Sequence, residues 1–241
     1  MKLNVKALAI ASAISGLFIA APSFAHTGVQ AGHIDELTTI DTNIAIGHGC
    51  EQANGTVKPI IAQSVVFPMA EYEAAVAAGT LDGFEINTIQ SKDIFGIQAE
   101  KFTAAGNLYA FSGRGGPGLN PAQLGRVPFQ VSAPNVDPLG GNCISEVHIN
   151  LAVADICVTA SPKIRAGKLN LWAPAVAGSA IIAQATANGV DGVGHGPHLV
   201  IHNHDYDPIA CGDPATHILE LSPTAAEIDD GLDINGYWMA P

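Results

Sequence analysis

The sequence predicts an all-β chain: an antiparallel β-sandwich of Greek-key or immunoglobulin-like type, carrying one or two short helices. Three observations predict it. Short apolar runs rich in Val, Ile and Ala recur along the chain, separated by turn residues. The 26 Gly and 15 Pro supply the many turns that such a fold needs. The segment 143–157 alternates, with Val147, Ile149, Leu151 and Val153 on one face and Glu146, His148 and Asn150 on the other. Period-two alternation of this kind marks a strand with one core face and one wet face. On that pattern His148 reads as a solvated surface residue.

In chain order, strands are expected at 42–46, 60–67, 84–89, 108–112, 127–133, 144–156, 169–173, 180–185, 198–204 and 217–221. A helix is expected at 69–78. It follows Pro68, places Glu71 and Glu73 near its start, where the helix dipole favours negative charge, and meets Gly79 at its end. A shorter helix at 224–230 follows Pro223. The stretch 113–121, Gly-Arg-Gly-Gly-Pro-Gly-Leu-Asn-Pro, reads as a loop. Its glycines lack the strand–GxxxxGK–helix setting of a phosphate cradle.

The amino terminus reads as an export signal. Lys2 and Lys6 precede an apolar stretch from Leu8 to Ala20, and Ser23-Phe24-Ala25 places small residues at −3 and −1 of a cleavage site. Cleavage after Ala25 leaves a single β-sandwich domain at 26–241 that begins with His26. No later segment reaches the roughly 18 apolar residues of a helical span, so no membrane span is expected once the signal is removed. The compartment is then the periplasm, or the secreted or cell-surface space, of a bacterium. Four cysteines, Cys50, Cys143, Cys157 and Cys211, fit two disulfides in such an oxidising setting. Three pairings are open. A thiolate metal site is the weaker alternative, because no pair has CxxC spacing.

Charge narrows the partners. Lys and Arg total 10 against 22 Asp and Glu, a formal charge of −12. A chain of that sign does not gain affinity for nucleic acid by releasing phosphate counterions, and anionic lipid surfaces are disfavoured for the same reason. Only 13% of residues are charged, yet nine are histidine. Four of them fall in the run His195, His198, His202, His204. On a strand, His198, His202 and His204 share one face, and imidazoles at i and i+2 lie about 6–7 Å apart along it, close enough to share a metal. Asp205 or Asp207 would add an oxygen ligand or orient a ring. A His-rich but metal-free surface edge is the competing reading.

Two further histidines stand out by position. His26, freed by cleavage, offers its α-amine and ring nitrogen as a chelating pair, with His33 near in sequence. His48 lies in Gly47-His48-Gly49-Cys50, where flanking glycines permit a tight turn and a disulfide at Cys50 would hold the ring in place. Imidazole donors suit copper first, as Cu(I) or Cu(II), and zinc second. Met69 and Met239 alone follow the signal, which excludes a Met-rich relay. A blue-copper arrangement at Cys211 and His217 lacks its methionine. Trp172 and Trp238 are read first as core residues, with a cation–π cap on a metal as the second reading.

These residues point to an exported copper-binding protein for acquisition, storage or delivery, with a metal ion and a membrane copper transporter or other copper protein as partners. An enzyme is the less favoured class. No GxSxG elbow supports a serine hydrolase, and no carboxylate pair has the distinctive setting of a glycosidase. The run His198 to His204 followed by Cys211-Gly212 resembles the C-terminal part of copper–zinc superoxide dismutases and supplies a redox-enzyme alternative. A non-metal surface protein is the third class.

A signal ending directly before His26, then His48-Gly49-Cys50-Glu51, Thr56 and the strand from Ile60, resembles the YcnI-like periplasmic copper-binding domain. That resemblance implies an exported β-sandwich holding copper with its amino-terminal His, a carboxylate and a nearby Trp. His26 matches as the ligand, and Glu51 and Trp172 are the carboxylate and indole to which it points. In size and acidic character the chain is also similar to the surface copper(I)-binding proteins of methanotrophs, which use two histidines and an oxidised tryptophan. It has no Trp-x-His motif.

Overall fold

The computed structural model describes residues 26–90, 94–121, 123–158 and 164–233. The expected signal at 1–25, together with Trp238 and Met239, lies outside the described residues. The first half of the chain forms β1 (Gly28–Gln30), β2 (His33–Asp35), β3 (Thr39–Ile46), β4 (Cys50–Glu51), β5 (Val57–Lys58), β6 (Ile60–Val66), α1 (Met69–Ala77), β7 (Leu81–Asp82), β8 (Glu85–Thr88) and β9 (Ile97–Phe102). Next come β10 (Leu108–Leu119), β11 (Gly125–Ser132), β12 (Asn135–Val136), β13 (Glu146–Asn150), β14 (Ala152–Ile156) and β15 (Leu169–Trp172). The remainder comprises α2 (Ala180–Ala187), β16 (His198–His202), α3 (Pro208–Cys211), a 3₁₀ turn at Pro214–Thr216, β17 (Ile218–Leu221) and α4 (Ala225–Gly231).

Three larger sheets organise most of these strands, and β12 with β7 and β4 with β5 form two-stranded ladders. The first has the order β1-β3-β11-β8, the second β15-β14-β6-β10-β9, and the third β17-β13-β16-β2. The first two are antiparallel throughout. The third is mixed, because β17 runs parallel to β13 and β2 parallel to β16. The sandwich core lies where the inner faces meet. Phe129 of the first sheet packs against Phe67 and Phe111 at ring-centroid distances of 5.7 and 5.9 Å. Ile34, Val147, Ile149, Leu199 and Ile201 bring the third sheet into the same core. Offset and edge-on aromatic packing of this kind adds to the stabilisation from burial alone.

The second sheet is covered on both faces, so its strands lose their alternation. All five residues of β14 are buried. Its outer face is paved with Ala62, Ala110, Ala152 and Ala154, small enough for α2 and α4 to settle closely through Ile181, Ile182, Ala185 and Ile228. A Cβ on Gly231 would lie 2.6 Å from Val66 Cγ2, so this glycine sets how near α4 comes.

Most expected strands are present, some with shifted ends. Three expectations are corrected. The segment 180–185 is helical, not extended. The Ser179 side chain caps α2 by accepting from Ile182 N, and the run is rich in alanine, the best helix former. The segment 113–121 is largely strand: β10 continues to Leu119, because Gly113 and Gly116 leave room for Phe95 and the Gly96 backbone pressed against them. The single strand expected at 144–156 is two strands that belong to different sheets. The chain turns the corner at Leu151, whose N–H donates to the Pro197 carbonyl at 2.7 Å.

Of the three open pairings the structure selects Cys50–Cys157 and Cys143–Cys211, with Cα separations of 6.0 and 5.5 Å. The closed loops span 107 and 68 residues. In the chain-entropy view each restricts the unfolded ensemble by about 4–5 kcal/mol. No described helix is long and apolar enough to cross a membrane.

Candidate metal centre

The centre of the candidate site is Trp172. It ends β15, is 1% exposed, and donates from Nε1 to Asp155 Oδ2 at 2.8 Å. Two histidine rings stand edge-on to its indole. His26 lies at a centroid distance of 4.9 Å and 81° between planes, and His48 at 6.2 Å and 83°. Residues 22 positions apart in sequence, on different elements, are thus gathered on one indole.

Each is placed by a specific anchor. Thr27, 4% exposed, donates its hydroxyl to Asp155 Oδ2, so the residue after His26 is fixed to the core. His48 precedes Gly49, where a Cβ would come within 1.8 Å of the Lys58 carbonyl oxygen; only glycine lets β4 and β5 approach so closely. The next residue, Cys50, is tied to Cys157 at the end of β14. The expectation that a disulfide holds His48 therefore matches the connectivity. Beneath the indole, a Cβ on Gly192 would lie 2.6 Å from Trp172 Cε3, so the turn 189–197 closes on the ring.

Asp155 ties the arrangement together. It is wholly buried and accepts from Thr27, from Trp172 and, at Oδ1, from Gln63 Nε2 at 2.7 Å. Burial pushes its carboxyl above the ordinary range; the three hydrogen bonds and the charge of nearby His48 act in the opposite direction. Glu51 is exposed on β4, and the carboxylate bonded to the indole is Asp155. Sequence reasoning missed Asp155. Its signal was a lone acid in the apolar run Ala152-Val153-Ala154-Asp155-Ile156, where an unpaired carboxylate would be costly to bury.

His26 also lines an open cleft of about 510 Å³ together with His33, His195 and His198. The cleft thus joins the residues singled out at the amino terminus to part of the 195–204 run. The rest of that run is dispersed. His198 stacks on His148 at 6.2 Å, His202 meets Glu146 and His33, and His204 Nε2 lies 3.5 Å from Asp35 Oδ1. The strand ends at His202, so His204 leaves the shared face before it can join His202. Among the described residues, no three His, Cys, Asp or Glu side chains are grouped so as to hold one metal ion. His148 faces solvent as expected, but is braced between Glu146 and Glu220 at 2.9 Å each.

No protein-family model matches the chain, and no curated protein matches it.

Proposed function

We propose that this is an exported copper-binding protein that takes the metal between His26 and His48 at the face of Trp172 and serves acquisition, storage or delivery in the periplasm or at the cell surface. The observation that carries the reading is the convergence of these two imidazoles on one indole that is itself fixed by a buried carboxylate. Imidazole nitrogen is a good donor for copper in either oxidation state, and an aromatic face beside a cation adds attraction. Cleavage after Ala25 would add the α-amine of His26, a third nitrogen donor next to the anchored Thr27. The two disulfides fit an oxidising compartment. The donor set suits copper better than calcium or magnesium, which prefer oxygen ligands.

The test is a fluorescence titration of the processed chain carrying Trp238→Phe, which leaves Trp172 as the sole indole. Cu(II) should quench it with saturable, one-equivalent behaviour, and His26→Ala or His48→Ala should weaken the apparent affinity at least about tenfold, the loss of roughly 1.4 kcal/mol of binding. Quenching that is unchanged in both variants would remove this site.

A further inference from the structure

The outer face of the third sheet carries an ordered line of ionisable side chains that the Trp172 centre does not use. From β17 to β2 it runs Glu220, His148, Glu146, His202, His33. Glu220 Oε1 meets His148 Nδ1 at 2.9 Å, and His148 Nε2 meets Glu146 Oε2 at 2.9 Å. Glu146 Oε1 then meets His202 Nδ1 at 3.2 Å, and His202 Nε2 faces His33 Nδ1 at 3.3 Å. The line crosses all four strands, each contributing an outward residue from its polar face.

Its last step is the informative one. Glu146 Oε1 lies beside Nδ1 of His202; in the tautomer that keeps the proton on that nitrogen, Nε2 is left with its lone pair on the side of His33. Two imidazole nitrogens 3.3 Å apart stand at the edge length of a tetrahedron with metal–nitrogen bonds of roughly 2.0–2.1 Å. A carboxylate on the far nitrogen is the arrangement that orients a metal-bound histidine and raises its basicity. Glu146 is itself held by His148, so it cannot swing away without breaking that contact. Asp35, in register beside His202 on β2, adds to the negative field around the pair.

We infer that His33 Nδ1 and His202 Nε2 form a second, exchangeable site for a divalent transition-metal ion, with Glu146 as its positioning residue and water at the remaining positions. Two protein ligands make this an outer, weaker site. His33 also lines the histidine cleft that ends at His26, so an ion held here sits at the margin of that cleft. The inference does not depend on the copper reading of His26 and His48.

The experiment is calorimetric titration with Zn(II), which is redox-silent, on the full processed chain carrying His26→Ala and His48→Ala. One equivalent should bind with micromolar affinity. Adding His33→Ala or His202→Ala should weaken it at least about tenfold, and Glu146→Gln by about tenfold through loss of ring orientation. His217→Ala, whose ring makes none of the contacts of the line, should leave it unchanged. Nitrogen-15 spectra should show Zn(II) shifting His33 Nδ1 and His202 Nε2. His33, His202 and Glu146 are on the polar face of the sheet, and a thermal melt confirms that each variant is folded. Binding equal in the presence and absence of His33 and His202, or no Zn(II) binding in this background, would overturn the inference and leave the pair as a histidine–histidine hydrogen bond.

Discussion

The Thr27 hydroxyl is hydrogen-bonded to Asp155, 128 residues away in sequence and wholly buried. The same carboxylate oxygen accepts the Trp172 indole N–H. One buried acid therefore fixes both the residue after His26 and the aromatic platform on which His26 and His48 rest. Asp155 touches neither imidazole in this arrangement; it acts by placing what surrounds them.

Asp155→Ala should lower stability by about 3 kcal/mol or more, because it leaves the buried Trp172 and Gln63 donors without an acceptor. Urea denaturation measures the loss. The same variant should free residues 26 and 27 from the core, seen as faster amide exchange at Thr27 and Gly28.

Gly192→Ala should be destabilising by about 2 kcal/mol. The position has φ of +95°, and the new methyl would press on the Trp172 ring and the Leu171 carbonyl. The Trp172 emission maximum should move with it, since the ring must shift or the turn must open. Gly194→Ala, also at positive φ but with open space around it, should lack the spectral change.

The two disulfides should separate stability from metal binding. Replacing Cys50 and Cys157 together with Ala should reduce stability by about 4–5 kcal/mol and also weaken copper binding, because His48 adjoins the lost bridge. Replacing Cys143 and Cys211 should cost a similar amount and leave copper affinity intact, since that bridge does not adjoin the Trp172 centre. Equal effects on copper would argue against rigid placement of His48.

Glu146 predicts an acid-limb dependence. Its hydrogen bond to His148, with the charge of His202, holds the carboxyl below its ordinary value against the opposing effect of burial. A depressed folded value means the contribution is present above the unfolded pKa of about 4.3 and disappears as pH falls through the folded value. Glu146→Gln should flatten the loss of stability below about pH 4.3; denaturation midpoints at several acid pH values check this. An identical slope in both proteins would contradict it.

The fold class was readable because alternation and turn residues are local. Residues 146–150 show it: Val147 and Ile149 face the core, and Glu146, His148 and Asn150 face out. What failed was decided by tertiary contact. Alternation cannot show that Leu151 is a corner between sheets, nor that Gly113 and Gly116 extend a strand by admitting Phe95. The segment 180–185 is apolar enough for either strand or helix, and the Ser179 cap decides it. Of the site, His26 and His48 were visible from the cleavage position and flanking glycines. Their meeting at Trp172 was not, because it depends on long-range pairing of β6, β14 and β15. The pairing of His33 with His202 was hidden for the same reason, since β2 and β16 are parallel neighbours distant in sequence.

The most direct test of the copper reading is the metal content of the processed protein purified from its native compartment without added metal. Inductively coupled plasma mass spectrometry should find close to one copper per chain, and His26→Ala with His48→Ala should abolish it. A wild-type protein that holds no copper, even after copper challenge and dialysis, would contradict the account.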